Sequence, residues 1–147
     1  MRVNRSMPAA EVIPVLGYPN VAEAAAWLCD AFAFTVRLRI ADHRVQLNVG
    51  RGAVVVARSP GGRAGSAQAG ESHASHSVMV RISDVDGHFE RSSRHGARIL
   101  QPPADYAYGE RQYTAEDPGG HRWTFSQTIA DVAPKEWGGE AGTDPNA

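Results

Sequence analysis

The chain has 147 residues, of which 42% are hydrophobic and 21% charged, a composition typical of one soluble domain or of two small modules that share a core. With a formal net charge of −1, the chain lacks the positive electrostatic field that would attract nucleic acid or an anionic membrane. No apolar run approaches the ~20 residues of a transmembrane helix. Residues 1–8 lack the apolar core of a secretory signal, and the single cysteine, Cys29, excludes an intrachain disulfide framework, so we expect a cytoplasmic protein.

The first half of the chain predicts a strand, a helix and three further strands. A β-type run at Val12–Leu16 ends at Gly17–Pro19, which breaks regular structure. Asn20 and Glu23 then have the spacing of a capping box, which predicts a helix over Val21–Ala33. Three short β-type segments complete this half: Thr35–Ile40, Val45–Val49 and Ala53–Arg58.

The second half predicts the same order of elements after a connector. Residues 59–75 are mostly Gly, Ser, Ala and polar side chains without a period, which indicates a linker or a lid. A strand is expected at Val78–Ile82, and Asp84 is placed to cap a helix over Val85–His95. Gln101–Gly109 is interpreted as an irregular loop. The remaining strands are predicted at Arg98–Leu100, Arg111–Ala115 and His121–Ser126.

The two halves superpose when 64 is added to the residue numbers of the first. Asn20 then falls on Asp84 and Val21 on Val85, so both helix caps coincide. We therefore predict an α+β fold in which two βαβββ modules, placed side by side, form a curved eight-stranded sheet around a concave pocket with the helices outside. The predicted divisions are a flexible N-terminus, the first module, the linker, the second module and a C-terminal strap with a tail: residues 1–10, 11–58, 59–75, 76–130 and 131–147. Trp137 in the strap is expected to cover apolar surface of its own chain or of a partner.

A β-hairpin is the strongest local signal in the sequence. The residues Asp117–Gly120 read Asp-Pro-Gly-Gly, in which Pro fixes φ and Gly accepts a positive φ, as a tight turn requires. In the strand that follows, Trp123 and Phe125 alternate with polar residues. We expect these two aromatic side chains to pack against the helices, so that the opposite side of the strand lines a pocket.

Taken together, these elements resemble the vicinal oxygen chelate superfamily, which includes glyoxalase I, extradiol dioxygenases, fosfomycin-resistance proteins and bleomycin-resistance proteins. The resemblance covers about Val12–Trp137 and is carried by the paired modules, by the helix starts Asn20-Val21 and Asp84–Asp86, and by Tyr108–Trp123 with its Asp-Pro-Gly-Gly turn. It implies the fold, and usually a homodimer whose pockets are built by both chains. It does not by itself imply a reaction.

The metal-dependent members of that superfamily carry His or Glu ligands on four strands. A strand-by-strand alignment places those positions on Ile13, Val56, Ser77 and Thr124. Two alkyl groups and two neutral hydroxyls do not make a site for a divalent ion, which needs imidazole, carboxylate or thiolate donors. His76 precedes Ser77 by one position, and a β-bulge could turn it inward, but one histidine is not a metal site. We therefore expect no metal and no other cofactor.

The residues expected to line the pocket are apolar, hydroxylic or cationic. Strand alternation puts Ile13, Val15, Ser77, Met79, Arg81, Arg122 and Thr124 on its walls, and the resemblance to the superfamily adds Val56. The loop and hairpin put Tyr106, Tyr108, Arg111 and Tyr113 around its mouth. Tyr and Arg side chains together suit a flat, aromatic, oxygen-bearing ligand.

Three functions remain open from the sequence. The first is a metal-independent, bleomycin-resistance-like protein that binds or sequesters a bulky aromatic small molecule, such as an antibiotic or natural product, for self-resistance in a cleft between two chains. The second is a metal-free isomerase, lyase or cyclase, with His76 or Glu110 as the base and Arg111 or Arg122 as the oxyanion partner. The third is a glyoxalase-like metalloenzyme with shifted ligands. The expected partners are a small molecule and a second copy of the chain, with neither nucleic acid nor membrane.

Overall fold

The computed structural model of the chain describes residues 2–59 and 75–144. Each half has the predicted βαβββ order, and a short 3₁₀ helix follows at Pro134–Trp137. The elements of the first module are β1 (Val15–Tyr18), α1 (Val21–Phe32), β2 (Thr35–Ile40), β3 (Arg44–Val49) and β4 (Gly52–Arg58). Those of the second are β5 (Val78–Arg81), α2 (Val85–Arg94), β6 (Arg98–Tyr106), β7 (Glu110–Glu116) and β8 (Arg122–Thr128). Within the described ranges, neither helix is long and apolar enough to cross a membrane.

Each module forms its own four-stranded mixed sheet. The strand orders are β1-β4-β3-β2 and β5-β8-β7-β6, with the first pair of each sheet parallel and the other pairs antiparallel. The registers are equivalent, because Val15 pairs with Val55 in the first sheet and Met79, which is 64 positions after Val15, pairs with Thr124 in the second. The α+β class and the internal repeat are confirmed, and the eight strands are divided between two sheets of four.

The helix caps predicted from the sequence are confirmed in both modules. Asn20 Oδ1 accepts the backbone N–H of Glu23 at 3.0 Å, and Asp84 Oδ1 accepts that of Gly87 at 3.1 Å. At the other end, α1 stops at Ala33, whose left-handed backbone (φ 65°) directs its N–H to the carbonyl of Cys29. The caps thus fix where each helix begins relative to the strand before it.

Two strand boundaries differ from the prediction. The first strand does not stop at Leu16, because Gly17 and Tyr18 pair in parallel with Ala57 and Arg58 of β4. Strand β6 continues through most of the predicted loop at Gln101–Gly109, to Tyr106. It accommodates two prolines because it is an edge strand and its pairing with β7 shifts register on both sides of Gln101. The predicted linker lies almost wholly outside the described residues.

One hydrophobic core joins the two modules on the helix side of the sheets. The helices are bound to each other by Arg91, whose Nε donates to the Asp30 carbonyl at 2.7 Å, and by Trp27, whose indole donates to the His95 carbonyl at 2.8 Å. Phe32 lies at the centre, with ring centroids of both modules within 6 Å of its own. Its aromatic neighbours are Trp27, Phe34, His88, Trp123 and Phe125.

The Asp117 carboxylate, at the hairpin turn, connects the modules by hydrogen bonds. It is 3% exposed and accepts four donors: the Tyr18 hydroxyl at 2.6 Å and the Trp123 indole, the Gly119 N–H and the His121 N–H at 3.0 Å each. Burial, followed by the charge of Asp117 and the hydrogen bond to it, raises the pKa of Tyr18 far above its ordinary value, so the hydroxyl stays a donor. Close packing also requires the glycine at 119, where a Cβ atom would lie 2.5 Å from the Tyr18 ring.

His88 links the C-terminus of α1 to the second sheet. Its Nε2 lies 3.0 Å from the Phe32 carbonyl and its Nδ1 lies 2.5 Å from the Tyr113 hydroxyl, which also meets Ser92 Oγ at 2.9 Å. A neutral ring that donates through Nε2 and accepts at Nδ1 satisfies both contacts. Burial is the largest effect on the His88 pKa and lowers it; Arg91 lowers it further, while the Phe32 carbonyl and Asp84 act in the opposite direction.

We expect this histidine to make the fold less stable in mild acid. Because the His88 pKa is lower in the folded than in the unfolded chain, the unfolded chain takes up the proton first as the pH falls below about 6.5. The free energy of unfolding should then decrease with a slope of up to about 1.4 kcal/mol per pH unit from this group. Urea unfolding of the wild type and of His88→Gln between pH 7 and 5 measures the difference in slope. Parallel pH profiles for the two proteins would contradict the assignment.

Candidate functional site

The side of the second sheet that faces away from the helices carries a continuous set of polar side chains. In β8, Trp123 and Phe125 are fully buried on the helix side, so the alternate residues point the other way. We call this side the open face of the second sheet. It includes Met79 and Arg81 of β5, Arg122, Thr124, Ser126 and Thr128 of β8, Glu110, Gln112, Thr114 and Glu116 of β7, and Arg98, Gln101, Ala104 and Tyr106 of β6.

A chain of hydrogen bonds orders one end of this face. The Ser126 hydroxyl donates to Glu110 Oε1 at 2.6 Å, the Gln112 amide donates to Ser126 Oγ at 3.0 Å, and the Tyr108 hydroxyl donates to Gln112 Oε1 at 3.3 Å. Desolvation opposes ionisation of Glu110, but hydrogen bonds from Ser126 and Thr128 and the charge of Arg81 outweigh it and lower the Glu110 pKa. In this series of hydrogen bonds, every donor therefore points along the series toward the Glu110 carboxylate.

Three aromatic side chains form a patch beside this network. The rings of Tyr106 and Tyr108 are stacked at 5.5 Å with 16° between their planes, and Trp137 of the 3₁₀ helix lies 5.4 Å from Tyr108. Their exposed fractions are 37%, 36% and 42%, respectively. We call Tyr106, Tyr108 and Trp137 the aromatic patch. The stacked tyrosine rings, with the Trp137 ring tilted by 59° beside them, offer partly exposed aromatic surface to a further ring.

The corresponding face of the first sheet is covered by the chain itself. The Arg37 guanidinium donates to the carbonyls of Arg5 and Met7 at 3.1 and 2.9 Å, and the Gln46 amide donates to the Ser6 carbonyl at 2.9 Å. As a result Gln46 is 4% exposed and its strand neighbour Val55 is 6% exposed. On the second sheet the paired residues Gln112 and Ser126 are similarly buried, at 9% and 4%, whereas Val15 of β1 and Met79 of β5, at the edges of the two sheets, stay 56% and 63% exposed.

Several of the residues predicted to line a pocket lie on the sides of the two sheets that face away from the helices. Met79, Arg122 and Thr124 are on the open face of the second sheet, and Tyr106 and Tyr108 stack together at its end. Val15 is 56% exposed on the corresponding face of the first sheet. Ile13, half-buried, and Ser77, exposed, lie in the segments that precede β1 and β5.

The predicted positions of Val56, Tyr113 and Arg111 are wrong. Val56 and Tyr113 are fully buried on the helix side of their sheets. The Arg111 guanidinium is also on that side, where it binds Asp86 at 3.0 Å and Asp105 at 2.9 Å. The physical reason is the phase of the strands: Val56 belongs to an unbroken apolar run without alternation, and β7 was assigned a phase opposite to its true one.

The hairpin register contained the information needed to assign β7 correctly. A turn at Asp117–Gly120 sets Tyr113 opposite Phe125 and Thr114 opposite Thr124. Directly opposed residues share a face, so the expectation that Phe125 packs against the helices should also have applied to Tyr113. The same register identifies Glu110 and Gln112 as residues of the open face, which sequence reasoning missed as part of the pocket wall.

The donor set on the open faces does not suit a divalent metal ion. The paired positions Val15 and Val55 of one sheet and Met79 and Thr124 of the other offer alkyl, thioether and hydroxyl groups. Among the residues the structure describes, no group of three or more His, Cys, Asp or Glu side chains is placed to hold a metal. His76, the histidine nearest to a predicted ligand position, is exposed and lies 3.3 Å from Ser75 Oγ through Nδ1.

A separate cavity of about 170 Å³ lies between the start of α1 and the hairpin turn. Its lining is mostly apolar and includes Tyr18, Pro19, Trp27, Leu28 and Pro118. Because it opens beside the helices, it is distinct from both open faces, and it provides an alternative place for a small ligand.

Paired βαβββ modules, each with its helix packed on one side of a four-stranded mixed sheet, define the class of fold to which the chain belongs. A model of the Glyoxalase/Bleomycin resistance protein/Dioxygenase superfamily matches residues 12–125, and the chain belongs to this superfamily. The crystal structure of TioX from Micromonospora sp. ML1 is 34% identical, covers 84% of this chain and 100% of that one, and superposes with a TM-score of 0.65.

More distant comparisons agree on the fold. The fosfomycin resistance protein FosX from Listeria monocytogenes is 14% identical, with a TM-score of 0.63 over 82% of this chain and 94% of its own. Uncharacterized proteins of Mycobacterium bovis and Mycobacterium tuberculosis are 31% identical over 55 residues. That match covers 37% of this chain and only 36% and 32% of those proteins, so the chain spans about a third of the length of these curated relatives.

Proposed function

We propose that the protein binds a bulky aromatic small molecule, such as an antibiotic or natural product, on the open face of the second sheet without using a metal. The aromatic patch carries this proposal, because its three partly exposed rings, two of them stacked, lie at the end of a face that includes Met79 and several hydroxyl groups. Six residue steps along β8, from Arg122 to Thr128, span about 20 Å, which suits a large ligand. Superfamily relatives named for resistance to fosfomycin and bleomycin support a role in self-resistance by sequestration.

Binding is favoured over catalysis by the state of the candidate base and oxyanion partner. Hydrogen bonds to Glu110 lower its pKa, which makes the carboxylate a weak general base near neutral pH. Arg111 is engaged by two carboxylates on the opposite side of the sheet and is not presented to a ligand on the open face. Of the other candidates, His76 is exposed with its Nδ1 3.3 Å from Ser75 Oγ, and Arg122 lies on the open face without a neighbouring base whose setting suits catalysis.

The proposed binding unit is a cytoplasmic homodimer. A single open sheet covers a bulky ligand on one side only, and a cleft between two copies of the chain would enclose it. Each copy of the chain contributes the two modules proposed from the sequence, residues 11–58 and 76–130. Modules of the two copies would face each other across such a cleft. Sedimentation with and without ligand measures the oligomeric state.

Substitution within the aromatic patch should weaken the binding of flat aromatic compounds. Removing one stacked ring, in Tyr108→Ala or Trp137→Ala, should raise the dissociation constant about tenfold, because a ring stack adds about 0.5–1.5 kcal/mol beyond the burial of its area. Fluorescence titration with a naphthalene dye and with polycyclic aromatic antibiotics measures the change. Trp27→Phe, which alters the cavity beside α1, is the matched control and should bind as the wild type does. Equal affinities in all four proteins would contradict the proposal.

A further inference from the structure

Arg122 is the unsatisfied charged group of the open face. Among the residues that the structure describes, its Nε is the one buried side-chain nitrogen or oxygen that lacks a hydrogen-bond partner. A guanidinium is permanently charged and has five N–H donors, so a buried donor without an acceptor is costly in the free protein. Such a group gains more than a satisfied one from any acceptor that a ligand brings.

The surrounding side chains are engaged with each other and do not compete for Arg122. Thr124, the next residue of β8 on this face, shares a hydrogen bond with Thr114 at 2.9 Å. Glu116 lies directly opposite Arg122 in the sheet, but its carboxylate binds Arg98 at 3.4 Å. Two further arginines lie on this side of the sheet: Arg98, which pairs with Glu116 between β6 and β7, and Arg81, which donates to Thr128 Oγ1 at 3.0 Å. Arg122 is therefore the arginine on this side of the sheet whose guanidinium has no hydrogen bond or ion pair to the described part of the chain.

We propose that Arg122 binds an acidic oxygen of the ligand, so that the protein selects aromatic compounds that carry a carboxylate, sulfonate or phenolate over neutral ones of the same shape. This inference rests on the proposed function, since it assumes that the ligand lies on the open face of the second sheet. A guanidinium–oxyanion contact is charge-assisted and can be bidentate, which gives both strength and direction. Because the Nε atom is enclosed by the protein, the ligand oxygen would be bound by the two terminal Nη atoms of the guanidinium, which are not buried in this way.

Two dyes with one ring system separate charge recognition from ring binding. Anilinonaphthalene sulfonate carries an anion, and phenylnaphthylamine lacks it. We expect the wild type to bind the sulfonate about 10- to 100-fold more tightly than the neutral dye, the gain typical of a hydrogen bond to a charged group. Arg122→Gln should lose that preference while keeping its affinity for the neutral dye, and Arg122→Lys should retain part of it.

Arg94→Gln is the matched control, because it removes the same charge from an exposed position on α2, on the other side of the sheet. It should behave as the wild type with both dyes, and thermal unfolding shows whether each variant is folded. If neither dye binds the wild type, the proposed function fails. If both dyes bind the wild type with equal affinity, or if Arg122→Gln keeps the preference for the sulfonate, Arg122 is not the anion site and only this inference is overturned.

Discussion

Asp117→Ala should destabilise the protein by about 3–5 kcal/mol, the loss expected when one partner of a buried charged network is removed. The substitution leaves the Tyr18 hydroxyl and the Trp123 indole N–H buried without their acceptor, and it frees two backbone N–H groups of the turn. Each abandoned donor incurs the cost of desolvation without a compensating hydrogen bond. Because Tyr18 belongs to the first module and Trp123 to the second, the contact between the modules is weakened as well. Urea unfolding measures the change.

Glu116→Ala is the control for this prediction, since it removes a carboxylate from the preceding residue. Within residues 2–59 and 75–144, the ion pair of Glu116 is with Arg98, whose side chain is 61% exposed, and such pairs contribute about 0–1 kcal/mol. We therefore expect Glu116→Ala to unfold at a urea concentration close to that of the wild type. Similar losses of stability in the two variants would show that the Asp117 carboxylate does not hold the modules together.

Phe32→Ala should have an effect of the same size, about 3–5 kcal/mol, because it removes a fully packed aromatic ring from the centre of the core. Phe32 is 2% exposed, and its ring contacts those of Trp123 at 5.6 Å and Phe125 at 4.7 Å. The cavity left behind would separate α1 from the second sheet, to which His88 also connects it. Loss of the ring should therefore lower the stability of both modules together, in a single unfolding transition followed by circular dichroism.

Phe89→Ala removes the same side chain from the edge of the core and provides the comparison. Phe89 is partly buried and its ring has one aromatic neighbour, Tyr113 at 5.4 Å. Its loss should be clearly smaller, since the cost of a large-to-small substitution rises with the cavity that remains. An effect of Phe89→Ala equal to that of Phe32→Ala would mean that Phe32 is not the link between the modules.

Local signals in the sequence were sufficient for most of the fold. The caps at Asn20 and Asp84 depend on side chains three positions from the N–H groups they bind, so both were visible in the chain. The end of β1 was not, because Gly17 and Tyr18 become a strand only through pairing with β4, about 40 residues later. The extension of β6 through two prolines likewise depends on its place at the edge of the sheet, which no local pattern shows.

The side of the sheet that a candidate site residue occupies could be predicted in strands whose apolar and polar residues alternate, and could not be predicted in the others. Met79, Arg122 and Thr124 followed from alternation with buried neighbours. Val56 could not be assigned in this way, because the apolar run in β4 has no period. The N-terminal segment covers Gln46 through a contact between residues about 40 positions apart, and composition does not predict such a contact. The sequence shows that Asp117 belongs to a turn, but it does not show that the Asp117 carboxylate accepts four hydrogen bonds.

The three tryptophans report on three different places, and their indole N–H signals in a proton–nitrogen correlation spectrum test the central claim most directly. Trp137 belongs to the aromatic patch, Trp27 lines the cavity beside α1, and Trp123 is buried with its N–H bound to Asp117. During titration with anilinonaphthalene sulfonate, we predict that the Trp137 signal shifts in proportion to saturation while the Trp123 signal stays in place. A shift of Trp27 without any change at Trp137 would contradict the account and place the ligand in the cavity beside α1.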